Sequence, residues 1–437
     1  MSTSCKSTVK VKEKFDKFFD KSGIKKISIS SGFQIRKPKK ISGYNLVFGF
    51  LLMCSKGKNT FAEWAVQIGF ISGTVVSRQG VWDRINENAS QFAESLLRHF
   101  LLKHSGLKSP RGLFSQFGKV LLQDSTVIKL PDSLASVFAG STVGGKQRSQ
   151  VRIQTIIDVK RMHYHEFTLS GFTSNDQSAS GQIMQFAKKG DLVIRDLGYF
   201  ALQTFQDMLT SGVHFVSRLR YGLLLKTASG KDLDLLKLLK KGKLVDMKVF
   251  IGAKQIPVRL IMLPLPKSVA EEWIRKAKCD RDKRLNHTPE YYTWLRYNVL
   301  ITSLESEIWL PQQIAEIYRL RWQIEIIFKS WKSGAGMHQL LHERVTDADR
   351  VKVVIYLLLL FMCLFNKKIF NPMREIINKK SGKELSLIKA INFVMKNIED
   401  VFTCSTFNIR KNMTQHCCYD LRTKRKNLPE LFNNFTN

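Results

Sequence analysis

The sequence predicts an α/β fold, a mixed sheet flanked by helices, with a β-rich insertion and helical regions at both ends. Three observations predict it. Near Lys119 the apolar pattern changes from a helical period to alternating and continuous strand-like runs. Three such runs follow one another, and then helix and strand alternate, the order of a mixed sheet with helices packed on it. On either side of this stretch the apolar spacing is helical. A chain of 437 residues has room for two or three domains and a large core. The expected division is a basic leader over 1–42, a helical domain over 43–115, a sheet domain over 116–335 interrupted at 221–303, and a basic helical region over 336–437.

Residues 1–42 carry twelve Lys or Arg against three Asp or Glu, the composition of a solvated tail that can settle on phosphates. From Tyr44 to Lys103 the pattern is helical. Thr60 can cap a helix through Trp64 to Ile68, which Gly69 and Gly73 then break. A second helix starts near Ser77 and runs through Val81, Trp82 and Ile85. Two short helices across a glycine-containing turn resemble a helix-turn-helix, in which Arg78, Gln79 and Arg84 would face a DNA groove. Many small helical domains show the same pattern.

Lys119–Leu130 (KVLLQDSTVIKL) reads as a strand, as do Arg148–Val159 and His163–Ser170 across a Lys-Arg turn. Ser178–Lys189 reads as helix, Asp191–Asp196 (DLVIRD) as a buried strand, Phe200–Leu209 as helix and Val213–Leu219 as strand. Inside 221–303, Val245–Ile251 and Ile256–Leu263 alternate like paired strands. A basic stretch (RKAKCDRDKR) and the aromatics Tyr291, Tyr292, Trp294 and Tyr297 follow. A helix from Pro311 to about Ser333 begins with proline, which a first turn tolerates. Val353–Phe365 is apolar for 13 residues, short of the roughly 20 that cross a bilayer. It reads as a buried core helix, and no membrane partner is expected.

Lys and Arg total 70 against 36 Asp and Glu, a net charge of +34. Such an excess points to a polyanionic partner, nucleic acid first, because neutralising phosphates releases counterions. Seven cysteines lie at 5, 54, 279, 363, 404, 417 and 418. With no C-x-x-C pair and no accompanying histidine cluster, they argue against a zinc site. The odd, scattered set suits a reducing compartment. No apolar stretch marks a signal peptide in the first 25 residues, so a cytoplasmic location is expected.

The densest chemistry lies in Tyr318–Lys332 (YRLRWQIEIIFKSWK). On one continuous helix Tyr318, Arg321, Glu325 and Lys332 would share an arc of about 60°. The neighbouring arc holds Ile317, Leu320, Ile324, Ile327, Phe328 and Trp331, an apolar stripe. By itself a Glu four residues after an Arg is an ordinary surface ion pair, worth roughly a few tenths of a kcal/mol. Asp124 is less ordinary, because it interrupts an apolar strand, where Asp is depleted and an unpaired buried carboxylate is costly. Asp196 ends the strand Leu192–Ile194 just before Gly198, and ligand sites commonly lie beyond the carboxyl ends of sheet strands. Three carboxylates in a basic chain suit hard divalent cations together with phosphate. His163 and His165 flank Tyr164 on one strand face, the placing of a metal pair or, more commonly, of sheet-surface histidines. Asp158 reads as a strand end and Asp176 as a turn residue, and Ser125 lacks the partners of a nucleophile.

Tyr318-x2-Arg321-x3-Glu325-x6-Lys332 resembles the Y-R-E-K signature of insertion-sequence DDE transposases. Asp124-Ser125-Thr126 resembles the first acidic motif of that family, and Asp196-x-Gly198-x-Phe200 its second. The resemblance covers residues 119–335 most clearly and the whole chain loosely. It implies an RNase H-like catalytic fold with a β insertion before the last acidic helix. It implies that Asp124, Asp196 and Glu325 hold two Mg2+ ions, with Mn2+ able to substitute, while Tyr318, Arg321 and Lys332 grip phosphates near the cleaved end. It implies a hairpin step, and an aromatic in the insertion that stacks on a flipped base. The tryptophan expected a few residues before Thr302 is absent. Asn298 stands near its place, leaving Trp294 and Tyr297 as candidates. The implied partners are double-stranded DNA with terminal inverted repeats and a second copy of the chain in a synaptic dimer. Two other readings are a repurposed, catalytically inactive DNA-binding protein and a metal-dependent nuclease of the same fold.

Overall fold

A computed structural model describes residues 20–420 except 39, 58, 103–112, 240–241, 281–287, 338–340, 342–346 and 404–405. Residues 1–19 of the basic leader and 281–284 of the basic stretch in the insertion lie outside the described residues. Among the described residues ten strands form one sheet: β1 (Val120–Leu130), β2 (Ala139–Val143), β3 (Lys146–Asp158), β4 (His163–Gly171), β5 (Leu192–Arg195), β6 (His214–Arg218), β7 (Leu225–Lys226), β8 (Val245–Ile251), β9 (Ile256–Pro264) and β10 (Tyr297–Thr302). β1, β3 and β4 make an antiparallel meander. On its other edge β1 runs parallel to β5, and β5 parallel to β6. The order β4-β3-β1-β5-β6, with two short parallel strands beside a three-strand meander, is the RNase H-like core. The insertion continues the same sheet, since β10 pairs antiparallel with β6 and is followed outward by β9, β8 and β7. A short strand not expected from the sequence, β2, pairs with β3.

The period of two along a strand divides the sheet into two faces. Leu122, Ile194 and Val216 point into one apolar cluster, and Leu121, Val193 and Phe215 into another. The second face carries α6 (Leu202–Thr210) and the insertion. The first carries the helices from both ends of the chain. At the N-terminal side these are α1 (Lys21–Ser30), α2 (Gly43–Ser55), α3 (Phe61–Ser72), α4 (Arg78–Arg84) and α5 (Glu87–Leu102). α1 corrects the expectation of a plain solvated leader: the Asp20 side chain caps it, and Ile24 is fully buried. Thr60 caps α3 through the Glu63 N–H, and Gly73 ends it at φ +70°, a conformation glycine adopts without penalty.

The insertion is also less purely β than expected, since it holds α7 (Leu235–Leu239), α8 (Lys267–Lys278) and α9 (Pro289–Trp294). The helix expected over Ser178–Lys189 is only a 3-10 turn, Ser180–Gln185. The helix expected from Pro311 to Ser333 is broken into α10 (Pro311–Arg319), α11 (Trp322–Lys329) and a π-turn, Ser330–Gly334. At the break Arg321 N–H bonds Tyr318 O and Ile324 N–H bonds Arg321 O, the tighter i to i+3 pattern.

The apolar run Val353–Phe365 lies in α12 (Ala348–Phe365), which continues through a π-turn (Asn366–Phe370) into α13 (Asn371–Ser381). By length and composition this 34-residue run could cross a membrane, yet 83% of its most apolar window is buried inside the fold. Burial of each such Leu or Phe contributes about 1.5–3 kcal/mol. α12 packs along α5, and Asn366 donates to the Tyr164 hydroxyl of β4 at 2.9 Å. α14 (Leu387–Lys396), α15 (Ile398–Thr403) and α16 (Thr406–His416) follow among the described residues. One apolar cluster therefore runs from Ile24 to Cys418 and joins the terminal helices to the sheet.

Candidate active site

The register of the sheet places the first two acids. Leu122 pairs with Ile194 across the parallel β1–β5 ladder. Asp124 and Asp196 each lie two residues further along, so they emerge side by side and on the same face, just past the end of β5. That face is the one on which α10 and α11 pack, with Ile314, Ile317, Ile324 and Ile327 buried in its cluster. The packing carries Glu325, on the first turn of α11, to the two aspartates.

Arg321 sits among the three. Its Nη2 lies 2.9 Å from Glu325 Oε1, its Nη1 3.7 Å from Asp124 Oδ2, and its Nε 3.7 Å from Asp196 Oδ1. Tyr318 completes the cluster, donating its hydroxyl proton to Asp196 Oδ1 at 3.1 Å. Tyr318, Arg321 and Glu325 thus converge as the helical spacing predicts, although the helix between them is interrupted. Burial pushes the Asp124 carboxyl up to about 7, against the Ser125 N–H and Arg321, which favour its ionised form. Burial also raises the Tyr318 hydroxyl, keeping it a proton donor. Burial alone would lower Arg321, but Asp196, Glu325 and Asp124 outweigh it and hold the guanidinium above its usual value. The site remains open to solvent, with the Asp196 side chain 36% and Glu325 31% exposed.

The donor set suits a hard divalent cation, because it offers carboxylate oxygens and no thiolate or imidazole. A cation already stands among these oxygens, the Arg321 guanidinium. With it interposed, no group of three His, Cys, Asp or Glu side chains among the described residues is arranged to hold a metal ion as it stands. Such an ion would take over carboxylate contacts that Arg321 now makes.

Lys332, on the π-turn, donates to the Val127 carbonyl of β1 at 3.1 Å and is half-buried, which lowers its pKa. It borders the site along β1 and does not reach the acids. Three expected DNA contacts are corrected. Trp294 is 8% exposed and Tyr297 5%; both pack in the core of the insertion, and the Tyr297 hydroxyl bonds Leu239 O at 2.6 Å. Arg84 turns inward, donating to Phe33 O with its guanidinium 4.3 Å from the Phe33 ring. Arg78 and Gln79 are exposed, Gln79 being bonded to Asp83 at 2.7 Å, on a helix of only seven residues. His163 and His165 stack edge-on at 4.8 Å on β4.

Some residues at the site carry no sequence signal. Arg218, at the end of β6, lies over the Tyr318 ring at 5.4 Å and over the half-buried Trp273 of α8 at 4.9 Å. Asp176, an expected turn residue, accepts from Ser125, Arg152 and Gln154 beside Asp124. An Asp between Asn175 and Gln177 reads as a turn, and only the folded chain brings it to β1.

Residues 115–365 match the family model described as the transposase DDE domain. The transposase of insertion sequence element IS231F from Bacillus thuringiensis subsp. israelensis is 26% identical over 392 residues, covering 83% of this chain and 80% of that protein. The transposase of IS1151 from Clostridium perfringens is 25% identical over 417 residues, covering 90% and 86%. A solved piggyBac transposase synaptic complex with hairpin DNA aligns at TM-score 0.46 and 10% identity, over 96% of this chain and 87% of that one. The family match spans the core strands, Asp124, Asp196 and the Tyr318–Lys332 segment. The chain belongs to the DDE transposase family of insertion sequences.

Proposed function

We propose that this DNA transposase cleaves and joins strands at the two ends of a mobile element, with Asp124, Asp196 and Glu325 as ligands of two divalent metal ions, Mg2+ or Mn2+. One observation carries the reading: three carboxylates, far apart in the chain, lie within 3.7 Å of a single guanidinium. Leaving three acids together without function would be costly, because like charges in a partly buried site repel. When bound there, the ions supply an activated water or 3′-hydroxyl and stabilise the leaving oxygen of an in-line displacement.

The surrounding residues hold this arrangement and meet the DNA. Tyr318 orients the Asp196 carboxylate through its hydroxyl. Arg218 braces the Tyr318 ring from behind. Arg321, once exchanged off the carboxylates, presents a bidentate fork to a phosphate oxygen pair. Lys332 adds a point charge at the edge of β1. The net charge of +34 favours a duplex partner carrying terminal inverted repeats, and joining two ends calls for two copies of the chain. The cytoplasm, with its reduced cysteines, is the expected location.

The test is a supercoiled plasmid carrying the element's own ends, incubated with Mg2+. Wild type nicks and linearises it, and Glu325→Ala, which still binds the ends, leaves it supercoiled. Equal nicking by both proteins removes Glu325 from the chemistry. End binding without cleavage by wild type itself would favour the repurposed DNA-binding reading.

A further inference from the structure

We propose that Asp176 is a positioning residue, which ties the Asp124 strand to the Asp196 turn and so sets the spacing of the two acids. The inference rests on reading Asp124 and Asp196 as metal ligands. Asp176 lies in the loop after β4 and belongs to none of the three acidic motifs. Its Oδ1 is a junction: Ser125 Oγ donates to it at 2.8 Å, Arg152 Nη1 at 2.8 Å and Gln154 Nε2 at 2.9 Å, and the Tyr199 hydroxyl lies at 3.2 Å. Two of these partners lead to the acids. Ser125 is the residue after Asp124, and its N–H bonds Asp124 Oδ1 at 2.8 Å, fixing that carboxylate's rotamer. Tyr199 closes the 3-10 turn whose N-cap is Asp196, its N–H bonding Asp196 O at 3.1 Å.

The other two partners hold the junction in place. Arg152 and Gln154 project from β3 beside β1, in register with Val127 and Ser125. Arg152 Nη1 also donates to Ser125 Oγ at 2.9 Å, and its Nη2 to Phe172 O at 3.1 Å. The Arg152 side chain is 9% exposed, so its charge has little water to rely on and needs the Asp176 carboxylate. Tyr199 also bonds Gln154 Oε1. Gly198 packs directly on the loop, since a Cβ there would stand 3.4 Å from Asp176 Oδ2. The network explains why a serine follows Asp124 and why a tyrosine stands three residues after Asp196. β1 and β5 pair only as far as Leu122 and Ile194, so beyond that point no ladder holds the two acids at a fixed distance. Asp176 supplies the missing cross-link. Partners of this kind, one step behind the ligands, typically change metal affinity 10–100-fold when removed.

The test measures Mn2+ affinity of the full-length protein without DNA, by electron paramagnetic resonance. Asp124→Asn defines loss of the site. Ser125→Ala and Tyr199→Phe each cut one arm and leave the Arg152–Asp176 pair intact. Each should weaken Mn2+ binding about tenfold, and Asp176→Ala, which removes the shared acceptor oxygen, by at least as much. Ser125→Ala combined with Asp176→Ala should bind no more weakly than Asp176→Ala alone, because both cut the same link. Asp191→Asn serves as a control for stability alone. It leaves one of the Lys119 and Lys188 N–H groups without its acceptor and removes the ion pair with the Lys119 ammonium, at the opposite end of the strands, and should lower Tm with Mn2+ affinity unchanged. Wild-type affinity in Ser125→Ala and Tyr199→Phe, or an equal loss in Asp191→Asn, overturns the proposal. If Asp124→Asn itself binds Mn2+ as wild type does, the metal reading is at fault and the role of Asp176 falls with it.

Discussion

Arg321 makes more of the site's contacts than any of the acids does, touching Asp124, Asp196 and Glu325 at once. It neutralises carboxylates that would otherwise repel, and divalent ions would compete with it for the same oxygens. Arg321→Ala should therefore lower the Tm of the protein in metal-free buffer. Added Mg2+ should then raise Tm by more than it does in wild type, because a ligand that binds only the folded state stabilises it. Thermal melts with and without Mg2+ check this, and equal shifts in both proteins would contradict it. Asp124 and Glu325 were legible as residues, one as an acid inside an apolar strand and the other by its spacing from Tyr318 and Arg321. Trp294 and Tyr297 were misread because aromatic clustering is the same for a stacking platform and for a local core. Their burial depends on contacts with Leu239 and Tyr221, distant in sequence. Arg84 was misread for the same reason, its partner Phe33 lying 51 residues away.

At the scale of elements, the strands with a clean period were readable. β1, β3, β5 and β6 were expected within two residues of their observed ends, and β8 and β9 likewise. β2 was not, because Ala139–Val143 is short and contains a glycine, with a register shift against β3. The break between α10 and α11 carries no Pro or Gly and falls where Arg321 meets the acids, so its cause is tertiary. The π-turn Ser330–Gly334 is marked only by the glycine that ends it, yet it decides where Lys332 points. It turns the ammonium onto the Val127 carbonyl, leaving two N–H donors to meet DNA. Lys332→Ala should weaken binding of end DNA at low salt and reduce the slope of log affinity against log salt by about one phosphate contact. An unchanged slope in titrations across salt concentrations would remove the contact.

The whole molecule departs most from a division into independent segments. The core cluster on the active-site face draws on Phe92 and Leu96 of α5, on Val353 and Leu358 of α12 and on Ile391 of α14, together with Leu122 and Ile194 of the sheet. Gly334 illustrates the fit, since a Cβ there would stand 2.5 Å from Ile391. Helical character at both ends was legible from the 3.6 period. Which face those helices cover was not, because periodicity shows that a stripe is buried without naming what buries it. A fragment of residues 116–335, the expected catalytic segment, should fail to fold on its own. It should bind a hydrophobic dye and lack near-UV circular dichroism, having lost the helices that cover one face of its sheet. A cooperative melt of that fragment would show that the shared core is dispensable.

The central claim is that Asp124, Asp196 and Glu325 together hold two divalent ions. Anomalous diffraction from crystals soaked in Mn2+ tests it most directly. The account predicts two peaks about 4 Å apart, ligated by oxygens of all three residues, with Arg321 displaced from them. Peaks elsewhere, or carboxylates still paired to Arg321 at saturating Mn2+, would contradict it.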